Sequence, residues 1–271
     1  MIVFPCSKIN LGLKIIGKRD DGYHDIETVL FPVPICDMLE IIEGHKKDKI
    51  SFSGIPLGCK PEDNLVMKAV GALRKWTDIP PLRVHLHKMI PAGAGLGGGS
   101  SDAASALKVC RDLYAPKVSD GDLRIIAGSV GSDCPFFIKG RPSLAKGRGD
   151  LLSPASVDLS GLFLVVVKPP FGINTSQAYS ATTVSRSTAH PGSVVINENI
   201  KNWKEKLIND FEPALEKCFP ELGNIKSNLY DKGALYASVT GSGSAVYGLF
   251  SEEVPEEETG FKNYFRWLGR L

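Results

Sequence analysis

One stretch, "PAGAGLGGGSSDAASAL" from Pro91 to Leu107, limits more than any other what this chain can become. Gly93, Gly95, Gly97, Gly98 and Gly99 fall within nine residues. Glycine gives up more conformational freedom on folding than any other residue, so such a loop belongs where backbone must turn left-handed or approach something closely. Before it, "LRVHLHKMI" alternates apolar and polar residues as a strand does and ends at Pro91. After it, Ala103, Ala106, Leu107, Cys110 and Leu113 share one face of a predicted helix, with Ser100 or Ser101 suited to cap it. Strand, glycine loop and helix N-terminus make an anion-binding arrangement. Amides without side chains converge on a phosphate, and the helix end adds positive potential.

Two nucleotide motifs compete for this loop. A P-loop closes on Gly-Lys-Ser/Thr, whereas here Ser100 follows Gly99 directly. The dinucleotide fingerprint G-x-G-x-x-G matches at Gly93, Gly95 and Gly98, but it also wants an acidic residue at the end of the next strand. Asp112 has roughly that spacing and falls inside the predicted helix. A phosphate-binding loop of another kind is then the leading reading, beside a dinucleotide site and a glycine turn that merely packs tightly.

The remaining composition sets bounds. The 271 residues, 43% of them apolar, suffice for one large or two modest domains. A net charge of only +2 argues against a nucleic-acid binder and leaves small anionic ligands open. The six cysteines show no C-x-x-C pair; they are expected to be reduced thiols, and no zinc site is expected. "MIVFPCSKIN" is broken by Pro5 and Lys8 and does not read as a signal peptide. "LFLVVV", Leu162 to Val167, is too short to span a bilayer and suits a buried strand. A cytoplasmic protein without membrane association is expected.

The chain opens strand-rich, with "KINLGLKII", "HDIETVLFPV" and "DMLEIIE". "EDNLVMKAVGALRKW" has a helical period, and "DGDLRIIAGSV" is a helix stopped by Gly131. "DCPFFIKGRPSLAKGRGDLL" reads as two short strands around a turn. A composition shift places a domain boundary near residue 153. Beyond it come an irregular Ser/Thr-rich stretch (181–193), helical "NWKEKLINDFEPALEKCF", and a strand pair in "GALYASVTGSGSAVYGLF". The acidic run "SEEVPEEE" reads as a solvated turn. A terminal helix "GFKNYFRWLGRL" follows, with Phe261, Tyr264, Phe265 and Leu268 facing the core.

Three stretches in order, "SKINLGLKIIGKRDDGYH", "PAGAGLGGGSSDAA" and "VTGSGSAVYGLF", resemble the three motifs of the GHMP kinases, the superfamily of galacto-, homoserine, mevalonate and phosphomevalonate kinases. The first is most similar to the branch that phosphorylates a cytidine diphosphate sugar alcohol in non-mevalonate isoprenoid synthesis, and "GSDCPFF" strengthens that match. The resemblance implies a two-domain α+β fold, with an N-terminal ATP-binding domain (1–153) and a C-terminal ferredoxin-like α/β sandwich (154–271), the active site lying in the cleft between them. It implies a small-molecule kinase using ATP with Mg²⁺ on an alcohol, as a monomer or weak homodimer. A superfamily kinase of homoserine or mevalonate type is the nearest rival; a dinucleotide-dependent oxidoreductase and an RNA-binding module are rivals from other classes.

By the same resemblance, Pro91, Ala92, Gly93, Ala94, Gly95, Leu96, Gly97, Gly98, Gly99, Ser100 and Ser101 hold the triphosphate. Asn64 helps hold the adenine, and Gly241 of Gly241-Ser242-Gly243 approaches the phosphates or the acceptor. Asp133 stands at an irregular corner before Cys134-Pro135 and is the candidate base, since an alcohol attacks only once its proton has somewhere to go. Lys8 resembles that base's cationic partner. Asn10, on the same strand face as Lys8, is placed to donate to the acceptor hydroxyls. Tyr23 and His24 resemble the pair that stacks on and reads cytosine, with Tyr179 as a second ring and Thr175 beside it. Asp102 suits the helix dipole but repels phosphate unless a cation intervenes, which suggests Mg²⁺ close by; no metal ligands are assigned. His85 and His87 read as structural, and His45 and His190 carry no signal.

Overall fold

The computed structural model describes residues 1–182, 189–255 and 260–271. The chain packs into two compact units, each assembled from separated segments. The first comprises Met1–Ser7, Ile35–Ala92 and Gly97–Arg141; the second comprises Lys8–Pro34, Gly93–Leu96 and Pro142–Leu271. In chain order the elements begin with β1 (Ile2–Val3), the long strands β2 (Cys6–Lys18) and β3 (His24–Cys36), β4 (Met38–Glu43) and β5 (Lys49–Gly54). Helix α1 (Leu65–Leu73), β6 (Leu82–Lys88), α2 (Gly98–Tyr114), α3 (Asp120–Val130) and α4 (Cys134–Lys139) follow.

The first unit holds a sheet in the order β1-β4-β6-β5. Strands β4 and β6 pair antiparallel, with Leu39 opposite Leu86 and Ile41 opposite Val84, all four buried. Helix α1 starts where the Asn64 side chain accepts the Val66 amide, and it buries Val66, Ala69, Val70 and Leu73 at helical spacing. In α2, Ala103, Ala106, Leu107 and Cys110 are wholly buried, whereas Leu113 is exposed. Neither Ser100 nor Ser101 caps α2. The helix begins earlier, after Gly97 in a left-handed conformation (φ 71°), which places both serines in its first turn. Ser101 Oγ instead donates to Cys6 O at 2.6 Å. A Ser119–Asp122 capping box opens α3, and Gly131 follows its last turn. "DCPFFIK" is helix α4 and no strand: Pro135 lies in its first turn, and the left-handed Gly140 ends it. Cys6 and Cys36 form a disulfide, against the reduced thiols expected, because the end of β3 returns beside the start of β2. Cys59, Cys110, Cys134 and Cys218 are free. Burial pushes the Cys110 thiol up to about 12 and Cys134 to about 11.

The second unit carries two sheets. One runs β2-β3-β7-β8, with β7 (Ser143–Lys146) and β8 (Leu151–Pro154) forming an antiparallel hairpin. Strand β8 passes through the domain boundary expected near 153, so packing divides the chain elsewhere. The other sheet runs β10 (Tyr236–Val239), β11 (Val246–Phe250), β9 (Phe163–Lys168) and β12 (Phe265–Arg270). Among them stand α5 (Thr175–Ala181), α6 (Pro191–Asn197), α7 (Trp203–Lys206), α8 (Glu212–Cys218) and α9 (Pro220–Asp231). Val165, Val167, Leu215, Leu222, Ile225, Leu229, Val239 and Val246 form one core with Leu13 and Ile15 of β2.

Two helical expectations fail here for the same reason. The final segment is β12, because β9 presents an open ladder that pairs every residue from Phe265 to Arg270. Its apolar residues still pack on the core, as Phe261, Tyr264 and Leu268 show. "NWKEKLINDFEPALEKCF" is interrupted between α7 and α8, where Ile208 and Asp210 hydrogen-bond to Leu13 of β2. Parts of the Ser/Thr-rich stretch and of the acidic run lie outside the described residues. Among the described residues no helix is long and apolar enough to cross a membrane.

Candidate active site

Within the second unit, Lys8 is 4% exposed and donates through Nζ to Asn10 Oδ1 (2.6 Å) and Gly95 O (2.8 Å). Asn10 lies two residues along β2 and so faces the same way. Its Nδ2 donates to Thr28 Oγ1 at 3.0 Å, and its backbone amide donates to Thr240 Oγ1 at 3.1 Å. Thr240 Oγ1 in turn reaches Gly95 O at 3.1 Å. Gly95 is left-handed (φ 74°), and a Cβ there would stand 2.0 Å from Thr240 O. A Cβ on Gly241 would lie 3.2 Å from Asn10 Oδ1 and 3.5 Å from Lys8 Nζ. One lysine, one asparagine and two glycine turns therefore meet with no room for side chains between them. The loop glycines Gly93, Gly95 and Gly97 all have positive φ, the alternating backbone from which anion-binding nests are made.

The same unit gathers the aromatic candidates. His24 stacks on Tyr179 with centroids 4.6 Å apart and planes 12° from parallel. Phe211 meets Tyr179 edge-on at 4.9 Å. Tyr23 is 58% exposed, with the Arg148 guanidinium 5.1 Å from its ring centroid. Thr175 and Tyr179 stand one turn apart on α5, and Thr175 Oγ1 lies 3.1 Å from Ser242 Oγ. Arg148 is a residue that sequence reasoning missed; its position between Gly147 and Gly149 at a hairpin tip was the available signal.

The first unit holds the other candidates: Pro91, Ala92, Gly97 to Gly99, Ser100, Ser101, Asn64 and Asp133. Asp133 is half-buried at the N-terminus of α4. Asn64 spends its side-chain oxygen on the α1 cap. Asp102 has a partner that the sequence did not reveal. Lys88 Nζ donates to Asp37 Oδ2 and to Asp102 Oδ2, the latter at 2.7 Å, and all three side chains are buried. Asp37 Oδ1 also accepts the amides of Met89 (2.6 Å) and Ile90 (2.8 Å), just before the glycine loop. The cation beside Asp102 is thus a lysine, which answers the charge otherwise assigned to Mg²⁺. Burial pushes the Asp102 carboxyl up to about 7, although Lys88 pulls it down.

Residues 64–141 match the GHMP kinases N terminal domain, and residues 195–260 match the GHMP kinases C terminal domain. The 4-diphosphocytidyl-2-C-methyl-D-erythritol kinase of Porphyromonas gingivalis is 47% identical, covering 98% of each chain. The chain belongs to the GHMP kinases. Another member, the 4-diphosphocytidyl-2-C-methyl-D-erythritol kinase of Parabacteroides distasonis, is 43% identical over the full length of both chains. A crystal structure of 4-(cytidine 5'-diphospho)-2C-methyl-D-erythritol kinase is 29% identical, with TM-score 0.79, covering 99% of this chain and 98% of that one. GHMP kinase membership sets aside the dinucleotide reading, and Asp112 indeed lies within α2, paired with Arg111.

Proposed function

We propose that the chain transfers the γ-phosphoryl group of ATP to the C2 hydroxyl of 4-diphosphocytidyl-2-C-methyl-D-erythritol, giving the 2-phosphate and ADP, in isoprenoid precursor synthesis by the non-mevalonate pathway. The observation that carries this reading is the His24–Tyr179 stack, with the exposed Tyr23 ring beside Arg148 next to it in sequence, in the same unit as Lys8, Asn10 and Gly241. An aromatic platform with an imidazole edge suits a nucleobase, which can be stacked and hydrogen-bonded at once. Homoserine or mevalonate would have no use for it. Relatives named for the cytidine substrate, similar over nearly the whole chain, support the same choice.

In this reading Asp133 accepts the proton of the attacking hydroxyl, and Lys8 offsets the charge growing on that oxygen. Asn10 orients the acceptor hydroxyls. The backbone from Pro91 to Ser101 cradles the triphosphate, with Asn64 near the adenine and Gly241 closing on the transferred group. Transfer is direct, without a phosphoenzyme, so catalysis rests on positioning and charge. Mg²⁺, when bound, would offset the negative charge of the phosphates. Among the described residues no group of three or more His, Cys, Asp or Glu is placed to hold a metal.

The test is ATP turnover over a panel of alcohols: the cytidine diphosphate acceptor, methylerythritol phosphate, homoserine and mevalonate. Turnover confined to the first is expected. Equal turnover of methylerythritol phosphate would show that the rings read no base, and the substrate assignment would be withdrawn.

A further inference from the structure

Asn209-Asp210-Phe211-Glu212, running from the break after α7 into α8, contributes no group to the chemistry described above, yet its residues tie together β2, the end of β10 and the ring of Tyr179 within the second unit. Asn209 is wholly buried. Its Nδ2 donates to Val239 O and Gly241 O, both at 2.8 Å, and its Oδ1 accepts the Phe211 amide at 3.1 Å. Asp210 Oδ2 accepts the Ile15 amide at 2.7 Å, while the Asp210 amide donates to Leu13 O at 2.8 Å. Both bonds fasten the segment to β2, the strand that bears Lys8 and Asn10. Glu212 Oε1 accepts from the Val239 amide and Ser238 Oγ, both at 2.7 Å. Phe211 backs the ring of Tyr179.

A buried carboxamide is costly unless its donors are met, and a hydrophobic side chain would fill the same space without that demand. What only Asn209 supplies is two donors fixed on carbonyls two residues apart, at the point where β10 becomes the glycine turn. A Cβ on Gly241, as shown above, would lie 3.2 Å from Asn10 Oδ1 and 3.5 Å from Lys8 Nζ, so this turn closes directly on the pair.

We propose that Asn209 is a positioning residue for phosphoryl transfer: it holds the turn at Gly241 against the Lys8–Asn10 strand, while its neighbour Phe211 holds the acceptor-reading ring. The inference rests on the functional reading given above. Adjacent residues then control different kinetic quantities. Loosening the turn displaces the reacting geometry, whereas loosening the ring weakens acceptor binding.

The experiment compares Asn209→Ser, Asn209→Asp and Phe211→Leu with the parent chain, reading kcat, both KM values and Tm. A misplacement near 1 Å costs roughly 100-fold in rate, so the Asn209 variants are expected to lose about 10- to 100-fold in kcat with both KM values within about threefold. Phe211→Leu is expected to raise the acceptor KM by about 2- to 12-fold, the worth of one aromatic pair, with kcat nearly unchanged. Glu212→Gln keeps the oxygen that accepts from Val239 and Ser238, gives up only the Lys226 ion pair, and should retain parent kcat. Parent kcat in a folded Asn209 variant overturns the proposal, as does a common fall in kcat and rise in both KM values that merely follows Tm. Should neither Asn209 variant fold, Asp210→Ser loosens the same segment from β2 and carries the same expectation and the same refutation. The parent is assayed first on the alcohol panel. If it ignores the cytidine acceptor, the functional reading fails, and the Asn209 comparison is made on whichever alcohol it phosphorylates, or on its basal ATP hydrolysis.

Discussion

Asp133 and Lys8 are the residues whose loss should cost most. Asp133→Ala is expected to lower kcat by roughly 10²–10⁴-fold, the usual effect of removing a general base. On the proposed reading Lys8→Ala should cost a comparable factor, and the double variant much less than the product, as expected of residues that serve one step. Losses that multiply in full would show independent roles. Tyr23→Ala should raise the acceptor KM about 5- to 150-fold, from the 1–3 kcal/mol that stacking on a base contributes, and leave the ATP KM within about twofold. A rise confined to the ATP KM would move Tyr23 to the nucleotide side. Asp102 gives a prediction in pH. With its carboxyl pushed up to about 7, the share of stability carried by the neutral form is whole at the acid end and is lost as pH rises through that value. Asp102→Asn removes the titration, so its stability relative to the parent should grow between about pH 4 and pH 7, by at most about 1.4 kcal/mol per pH unit. Urea melts at several pH values measure this, and a flat difference would mean that the carboxyl stays ionised throughout. That Lys8 and Asn10 face the same way was legible from strand alternation, although only the family resemblance singled out Lys8. Lys88 was not legible, because its partners Asp37 and Asp102 are distant in sequence and nothing in a strand-end lysine announces burial.

At the scale of elements, periodicity and end signals were read well where an element is held by its own sequence. Helix α3 is the clearest case, with Ser119 and Asp122 at one end and Gly131 at the other. Ser119→Ala is expected to destabilise the protein by about 1 kcal/mol, a typical value for a lost N-cap, visible as a lower urea midpoint at unchanged m-value. No shift at all would mean that α3 is held by its packing alone. Reading failed where a neighbour decides. Apolar spacing in "YFRWL" fits a helix as well as a strand, and only the open edge of β9 chooses between them. The break between α7 and α8 is likewise fixed by its bonds to β2, with Pro213 in the first turn of α8 just beyond it. The glycine loop was legible as a left-handed turn before a helix, but its helix starts three or four residues earlier than a serine cap would set it, because Gly97 adopts the left-handed turn itself.

Taken whole, the chain makes a prediction through its thiols. Cys59 and Cys218 are exposed, Cys110 and Cys134 buried, and Cys6 and Cys36 joined. Unreduced native protein should therefore label quickly at two positions, unreduced denatured protein at four, and reduced denatured protein at six. Six labels before reduction would remove the disulfide from the description. Composition suggested a chain cut once, near 153, because loop residues there precede a strongly apolar strand. The packing instead returns early segments to late ones, which no local composition records. Lys8–Pro34 belongs with Pro142–Leu271. During synthesis, the strand bearing Lys8 and Asn10 leaves the ribosome with its neighbour β3 roughly a hundred residues before Pro142–Leu271, the rest of their unit, exists. At 5–20 residues per second that is a wait of about 5–20 s. Through that interval two paired long strands expose Leu13, Ile15 and Ile26 without the core residues that later cover them, and this is when nascent-chain chaperones have most reason to hold them.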